Sequence, residues 1–134
     1  ESRWVKLGQL SEAAIYARDL ASAEKFYREV LGLKKISSME GRGVAFRCGT
    51  TVLLVFDPSR TKIPDAGVPT HGASGEGHIA FVIEEAEIGG WRQRLREHGV
   101  AIEAEVDWPQ GGRSLYFRDP DRNVVELAPP NLWG

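Results

Sequence analysis

One pattern occurs twice in this chain, and it constrains the fold more than anything else. Ala23, Phe26, Tyr27 and Val30 recur at i, i+3, i+4 and i+7 and are followed by Gly32-Leu33. Ile88, Trp91 and Leu95 recur in the same way and are followed by Gly99-Val100. The spacing predicts an amphipathic helix closed by a left-handed glycine each time. A strand-like segment precedes each helix: Ala13 to Ala17, with Asp19 as the N-cap of the first helix, and His78 to Ile83. Three strand-like segments follow each helix. In the first half they are Leu33 to Met39, Val44 to Cys48 after a turn at Gly41 to Gly43, and Thr51 to Phe56, which stops at Asp57-Pro58. In the second they are Val100 to Val106, Arg113 to Arg118 and Val124 to Ala128. A strand-helix-strand-strand-strand order repeated over this length indicates duplication rather than a solenoid. Neither unit can bury its sheet face alone, so the two sheets are expected to share one concave core.

The expected fold is therefore α+β. Two βαβββ units, over 8–58 and 78–130, curl mixed but mainly antiparallel sheets around a cavity, with the helices outside. All 134 residues form one domain of this kind. A connection over 59–77 carries Pro64, Pro69, four glycines and His71. It is long for a structureless joint, and such loops are often functional.

Composition narrows the function. The net charge is near −2, with acidic and basic residues interspersed, so no basic stripe points to nucleic acid. The longest apolar runs are too short to span a bilayer, and no leader-like segment precedes the first strand. Cys48 is the single cysteine, which excludes an intrachain disulfide. These features favour a cytoplasmic protein.

Two chemically active residues stand out on apolar strands. Glu126 lies between Val124 and Ala128 on one strand face, where a buried carboxylate is costly unless paired or metal-bound. His78 opens the strand Gly77-His78-Ile79-Ala80-Phe81-Val82 and shares its face with Ala80 and Val82. An imidazole and a carboxylate on adjacent strands can hold a metal ion together. By the repeat, Glu12 corresponds to His78 and Leu54 to Glu126.

The remaining candidates are weaker. His71 can act as a replacement ligand, a general base or a plain loop residue. His98 ends the second helix, where a cation suits the dipole. Trp91 fits the packing face of that helix, while Trp4, Trp108 and Trp133 fall in or beside irregular segments and can line a cavity or a subunit contact. Arg47, Arg113 and Tyr116 can orient an anionic substrate if they turn inward. Asp119 and Asp121 are expected to set the turn in Asp119-Pro120-Asp121-Arg122-Asn123.

Four stretches carry a family resemblance: Tyr16-Ala17-Arg18-Asp19-Leu20, Phe26-Tyr27-Arg28-Glu29-Val30-Leu31-Gly32-Leu33, Gly77-His78-Ile79-Ala80-Phe81, and Tyr116 to Asn123 followed by Glu126-Leu127. The chain resembles the vicinal oxygen chelate superfamily, the glyoxalase, bleomycin resistance and dioxygenase group. The resemblance implies paired βαβββ units around a cavity. It also implies a divalent metal that chelates two adjacent substrate oxygens, and a homodimer whose cavities combine units from both subunits. Carried over residue by residue, it makes Glu12, His78 and Glu126 the metal ligands. Glu12 stands where many members have histidine, and Leu54 cannot ligate, which disfavours glyoxalase I proper. A Glu-His-Glu set suits Mn, Fe, Co, Ni or Zn.

The expected function is a metal-dependent lyase, isomerase or oxygenase acting on a small oxygen-rich substrate. Glu126 and His71 are its candidate catalytic groups. The alternative is a metal-free small-molecule binding protein like those conferring bleomycin resistance.

Overall fold

The computed structural model describes residues 5–64 and 67–134. Strand β1 (Glu12–Tyr16) leads to helix α1 (Leu20–Lys25). Asp19 caps this helix by accepting from the Ser22 N–H. The helix then widens into a π-turn over Phe26–Val30, with the Leu31 N–H reaching back to the Phe26 carbonyl. Gly32 follows at φ 73°, the left-handed stop that the sequence requires. Strands β2 (Lys34–Met39), β3 (Gly43–Cys48) and β4 (Thr51–Phe56) complete the first unit.

A short helix α2 (Pro58–Thr61), capped by Asp57, opens the connection. The second unit runs β5 (His78–Val82), a 3₁₀ turn at Glu85–Glu87, α3 (Ile88–Glu97), β6 (Ala104–Asp107), β7 (Arg113–Arg118) and β8 (Val124–Ala128). Each unit makes its own four-stranded sheet, in the orders β1-β4-β3-β2 and β5-β8-β7-β6. The first strand pairs parallel to the last in each sheet, and the other pairings are antiparallel. The expected tandem βαβββ architecture is thus the observed one.

The two units share one apolar core. It joins Ile15, Phe26, Tyr27, Phe46 and Val55 to Leu95, Leu115, Phe117, Val125 and Leu127. Phe26 of the first unit meets Phe117 of the second at 6.2 Å between ring centroids. This core occupies the helical face of each sheet. Val125 and Leu127 face it, so Glu126 must point to the opposite face. Its neighbours in register, Ala80 and Tyr116, share that opposite face. Alternation places His78 and Ser114 there as well.

Buried polar contacts fasten the units where β5 begins. Asp119 accepts from the Asp121 and Asn123 N–H groups through Oδ1, and from the Tyr27 hydroxyl and Asn123 Nδ2 through Oδ2. It therefore sets the turn, as expected. Asn123, 2% exposed, accepts from the Gly77 N–H and donates to the Tyr16 carbonyl. A Cβ on Gly77 would come within 3.0 Å of Asn123 Oδ1, so glycine lets the chain come this close.

One strand boundary departs from expectation. Val100 to Glu103 is not strand, and β6 starts at Ala104. The Val100 N–H closes the end of α3 on Leu95, and the ladder with β7 begins at Ala104 opposite Tyr116, with the Glu103 N–H donating to the Tyr116 carbonyl just before it. Trp4 lies outside the described residues. Among the described residues, no helix is long and apolar enough to cross a membrane.

Candidate metal centre

His78 and Glu126 meet on the face opposite the core. His78 is the first residue of the edge strand β5, and Glu126 is the middle residue of the neighbouring strand β8. The ladder aligns His78 with Val124 and Ala80 with Glu126, which brings His78 Nε2 to 3.3 Å from Glu126 Oε1. The imidazole is half exposed and the carboxylate buried.

The other ring nitrogen fixes the chemistry of this contact. His78 Nδ1 lies 3.1 Å from the Val124 carbonyl oxygen, which can only accept. Nδ1 therefore carries the proton and donates. In the neutral ring Nε2 is then a bare lone pair, facing a carboxylate oxygen that is also an acceptor. Two acceptors at this distance are stable only with positive charge between them, a proton or a metal ion. A carbonyl holding the far nitrogen of a ligand histidine is the usual outer-shell arrangement of metal sites. The residues present therefore fit a divalent ion.

The remaining oxygen of Glu126 is held from behind. Ser114 Oγ donates to Oε2 at 2.6 Å, and Trp108 Nε1 donates to Ser114 Oγ at 2.9 Å. Ser114 is fully buried. The Tyr116 ring stacks on His78, at 6.4 Å between centroids and 24° between planes. Burial, together with the adjacent Glu126 carboxylate, raises the Tyr116 phenol above its ordinary value, so it is protonated at neutral pH.

The other sequence candidates are dispersed. Glu12 occupies on β1 the register position that His78 occupies on β5, opposite Val52 as His78 is opposite Val124. It is exposed. Among the described residues no group of three His, Cys, Asp or Glu side chains could hold a metal ion. Glu12 therefore does not join His78 and Glu126 within one chain. Leu54 takes the position equivalent to Glu126, opposite Ala14 as Glu126 is opposite Ala80.

His71 sits on the corresponding face of the first sheet. Its Nδ1 is 2.6 Å from the Tyr16 hydroxyl, its ring meets Phe56 edge-on at 4.9 Å, and its N–H donates to the Thr61 carbonyl. Arg113 does not turn into the site: it pairs with Asp107 and Glu105. Arg47 is exposed. His98 binds the Arg94 carbonyl at the end of α3.

Ser114 and the role of Trp108 are absent from the sequence reading. The available signal was parity: Ser114 lies two residues from Tyr116, on the inward side of β7.

The family model described as "Glyoxalase/Bleomycin resistance protein/Dioxygenase superfamily" matches residues 9–127, which spans both units and the His78–Glu126 pair. The chain belongs to this superfamily. Relatives in it carry several chemistries. The glutathione transferase FosA of Serratia marcescens is 31% identical over 125 residues, covering 90% of this chain and 80% of that protein. Catechol-2,3-dioxygenase of Bacillus subtilis is 29% identical over 127 residues, which is 42% of its length. The crystal structure of lactoylglutathione lyase from Agrobacterium tumefaciens superposes with a TM-score of 0.91 at 40% identity, covering 96% of this chain and 98% of that one. Within the superfamily the fold is thus firmly fixed while the reaction varies.

Proposed function

We propose that this chain is a metal-dependent enzyme, a lyase, isomerase or oxygenase, acting on a small oxygen-rich substrate. The observation that carries the reading is the facing pair of acceptors, His78 Nε2 and Glu126 Oε1, 3.3 Å apart with Nδ1 already committed to a carbonyl. The ligands in this reading are His78, Glu126 and Glu12 of a second copy of the chain. Mn, Fe, Co, Ni or Zn suits a mixed imidazole and carboxylate set. A divalent ion there supplies Lewis acidity toward two neighbouring substrate oxygens and stabilises the negative charge that develops on them.

The chain's own residues do the rest. The stacked Tyr116 ring fixes the plane of His78. Its phenol keeps its proton and remains a hydrogen-bond donor. Within the first sheet, Tyr16 lies four residues along β1 from Glu12, roughly 13 Å at the rise of a strand. On the copy that supplies Glu12, His71, bonded to Tyr16, then meets the end of the substrate remote from the ion. There it accepts or returns a proton. A partner copy enters this reading because, among the described residues of one chain, Glu12 does not join His78 and Glu126.

Elemental analysis of untagged protein purified without chelator tests the reading. About one divalent metal per chain is expected. Protein that is metal-free, and gains nothing on addition of Mn, Fe, Co, Ni or Zn, sinks it. That result favours the metal-free binding reading, for which the open apolar groove of about 620 Å³ between Ala13, Leu33, Val52, Phe81 and Trp91 is the available site.

A further inference from the structure

We infer that Trp108 and Ser114 are positioning residues that hold Glu126 as a one-oxygen ligand, an assignment resting on the metal reading above. The direction of the chain of hydrogen bonds follows from the donors. An indole N–H can only donate, so at 2.9 Å Ser114 Oγ must accept from Trp108. A carboxylate can only accept, so the single hydroxyl proton of Ser114 goes to Glu126 Oε2 at 2.6 Å. With Glu126 ionised, this is the direction that satisfies both contacts. Oε2 is thereby occupied from behind, and Oε1 is left as the atom that faces His78 Nε2.

Two consequences separate this from simple packing. Glu126 is a fixed ligand rather than a carboxylate that swings away to move a proton, so proton transfer falls to another group. The strength of the ligand is set from residue 108, in the turn that follows β6 and lies outside both strands of the pair. That turn is held by its own backbone: the Trp108 N–H donates to the Gly112 carbonyl and the Gly111 N–H to the Trp108 carbonyl. Gly112, at φ 90°, packs where a Cβ would come within 2.7 Å of the Pro129 side chain.

The test is titration of metal-free protein with Co²⁺, read by calorimetry and by the visible absorption of the bound ion. S114A is expected to weaken Co²⁺ binding by roughly ten- to a hundredfold and to alter the absorption bands. S114T restores most of the affinity, and W108F weakens it by a few-fold. Wild-type affinity and an unchanged spectrum in a folded S114A overturn the assignment.

A second measurement needs no destabilised core. The Trp108 indole N–H resonance of the wild type is expected to move on Zn²⁺ addition and again in E126Q, since both changes reach it through Ser114. An indole signal indifferent to both overturns the assignment. Should the wild type bind no metal, the metal reading fails by itself, and the response of the indole to E126Q still decides whether the relay couples Trp108 to Glu126.

Discussion

At the residue scale, Glu126 shows how a carboxylate 4% exposed is maintained on a strand. Leaving such a group ionised without partners costs several kcal/mol, so each oxygen needs one. Ser114 donates to Oε2, and Oε1 faces His78 Nε2, where the proposed metal ion would supply the positive charge. The two positions differ from Glu12, which is exposed. We expect H78A and E126A to lose metal almost completely, and E12A to lose affinity by a smaller factor, as measured by metal-to-protein ratio after dialysis. Equal occupancy in all three variants would contradict the ligand assignment. His78 and Glu126 were legible in the sequence because an ionisable residue amid apolar alternation is unusual. Ser114 was not. Serine on a strand is common, and only the fold shows that its hydroxyl lies between an indole and a carboxylate.

At the element scale, close approach and charge pairing hold the sheets in different ways. Gly43 begins β3 opposite Phe56. A Cβ there would lie 2.5 Å from the Phe56 ring and 2.9 Å from the Val55 carbonyl oxygen, which is backbone and cannot step aside. G43A should therefore destabilise the chain by about 1–3 kcal/mol, the usual cost of overpacking, in chemical denaturation. It should also disturb His71, which rests on Phe56. An unchanged denaturation midpoint would show that the strand yields more easily than this geometry allows.

The outer strand β6 depends instead on ion pairs. Hydrogen bonds from Arg118, Arg92 and Arg113 hold the carboxyls of Glu103, Glu105 and Asp107 below their ordinary values. Folded values below the unfolded ones give stability that is fully present above roughly pH 4–5 and is lost as pH falls through the folded values. The pairs are exposed and individually weak, so the loss is local. Amide protection factors in β6 should drop between pH 6 and pH 3 while those in β3 hold; parallel behaviour of the two strands would refute this. Most strands were legible from alternation, and both helix ends from glycine. The π-turn at Phe26–Val30 was not, because apolar spacing at i, i+3, i+4 and i+7 continues through it and the extra residue per turn leaves no mark. The start of β6 was not legible either, since Val100 and Ile102 look strand-like and only the structure shows the ladder with β7 beginning at Ala104.

At the scale of the whole molecule, both halves were readable as repeats and the family resemblance implied a homodimer, but the way one copy meets another was not readable from strand patterns. The faces bearing Glu12 and His78 are open, and Val82 on the latter is 68% exposed. We expect a homodimer in which the first unit of one copy covers the second unit of its partner. Co-expression of an E12A chain with an E126A chain checks this. Each homodimer binds metal more weakly than the wild type, the E126A one most of all, whereas the mixed dimer regains one intact site from the unmutated halves. No recovery in the purified heterodimer would mean that each chain builds its site alone.

Asn123 carries a different kind of consequence. It joins Tyr16 to Gly77 across 107 positions of sequence on one side and 46 on the other. We expect these side-chain contacts to be secured on the native side of the folding barrier, after the sheets have paired. Asn123→Ala should then steepen the descent rather than the climb: in stopped-flow experiments the unfolding rate rises while the folding rate barely moves. A slowed folding limb would place Asn123 in the nucleus. With the expected result, the strand that presents His78 is among the last parts of the chain to be secured. Its metal site then belongs only to molecules that have finished folding.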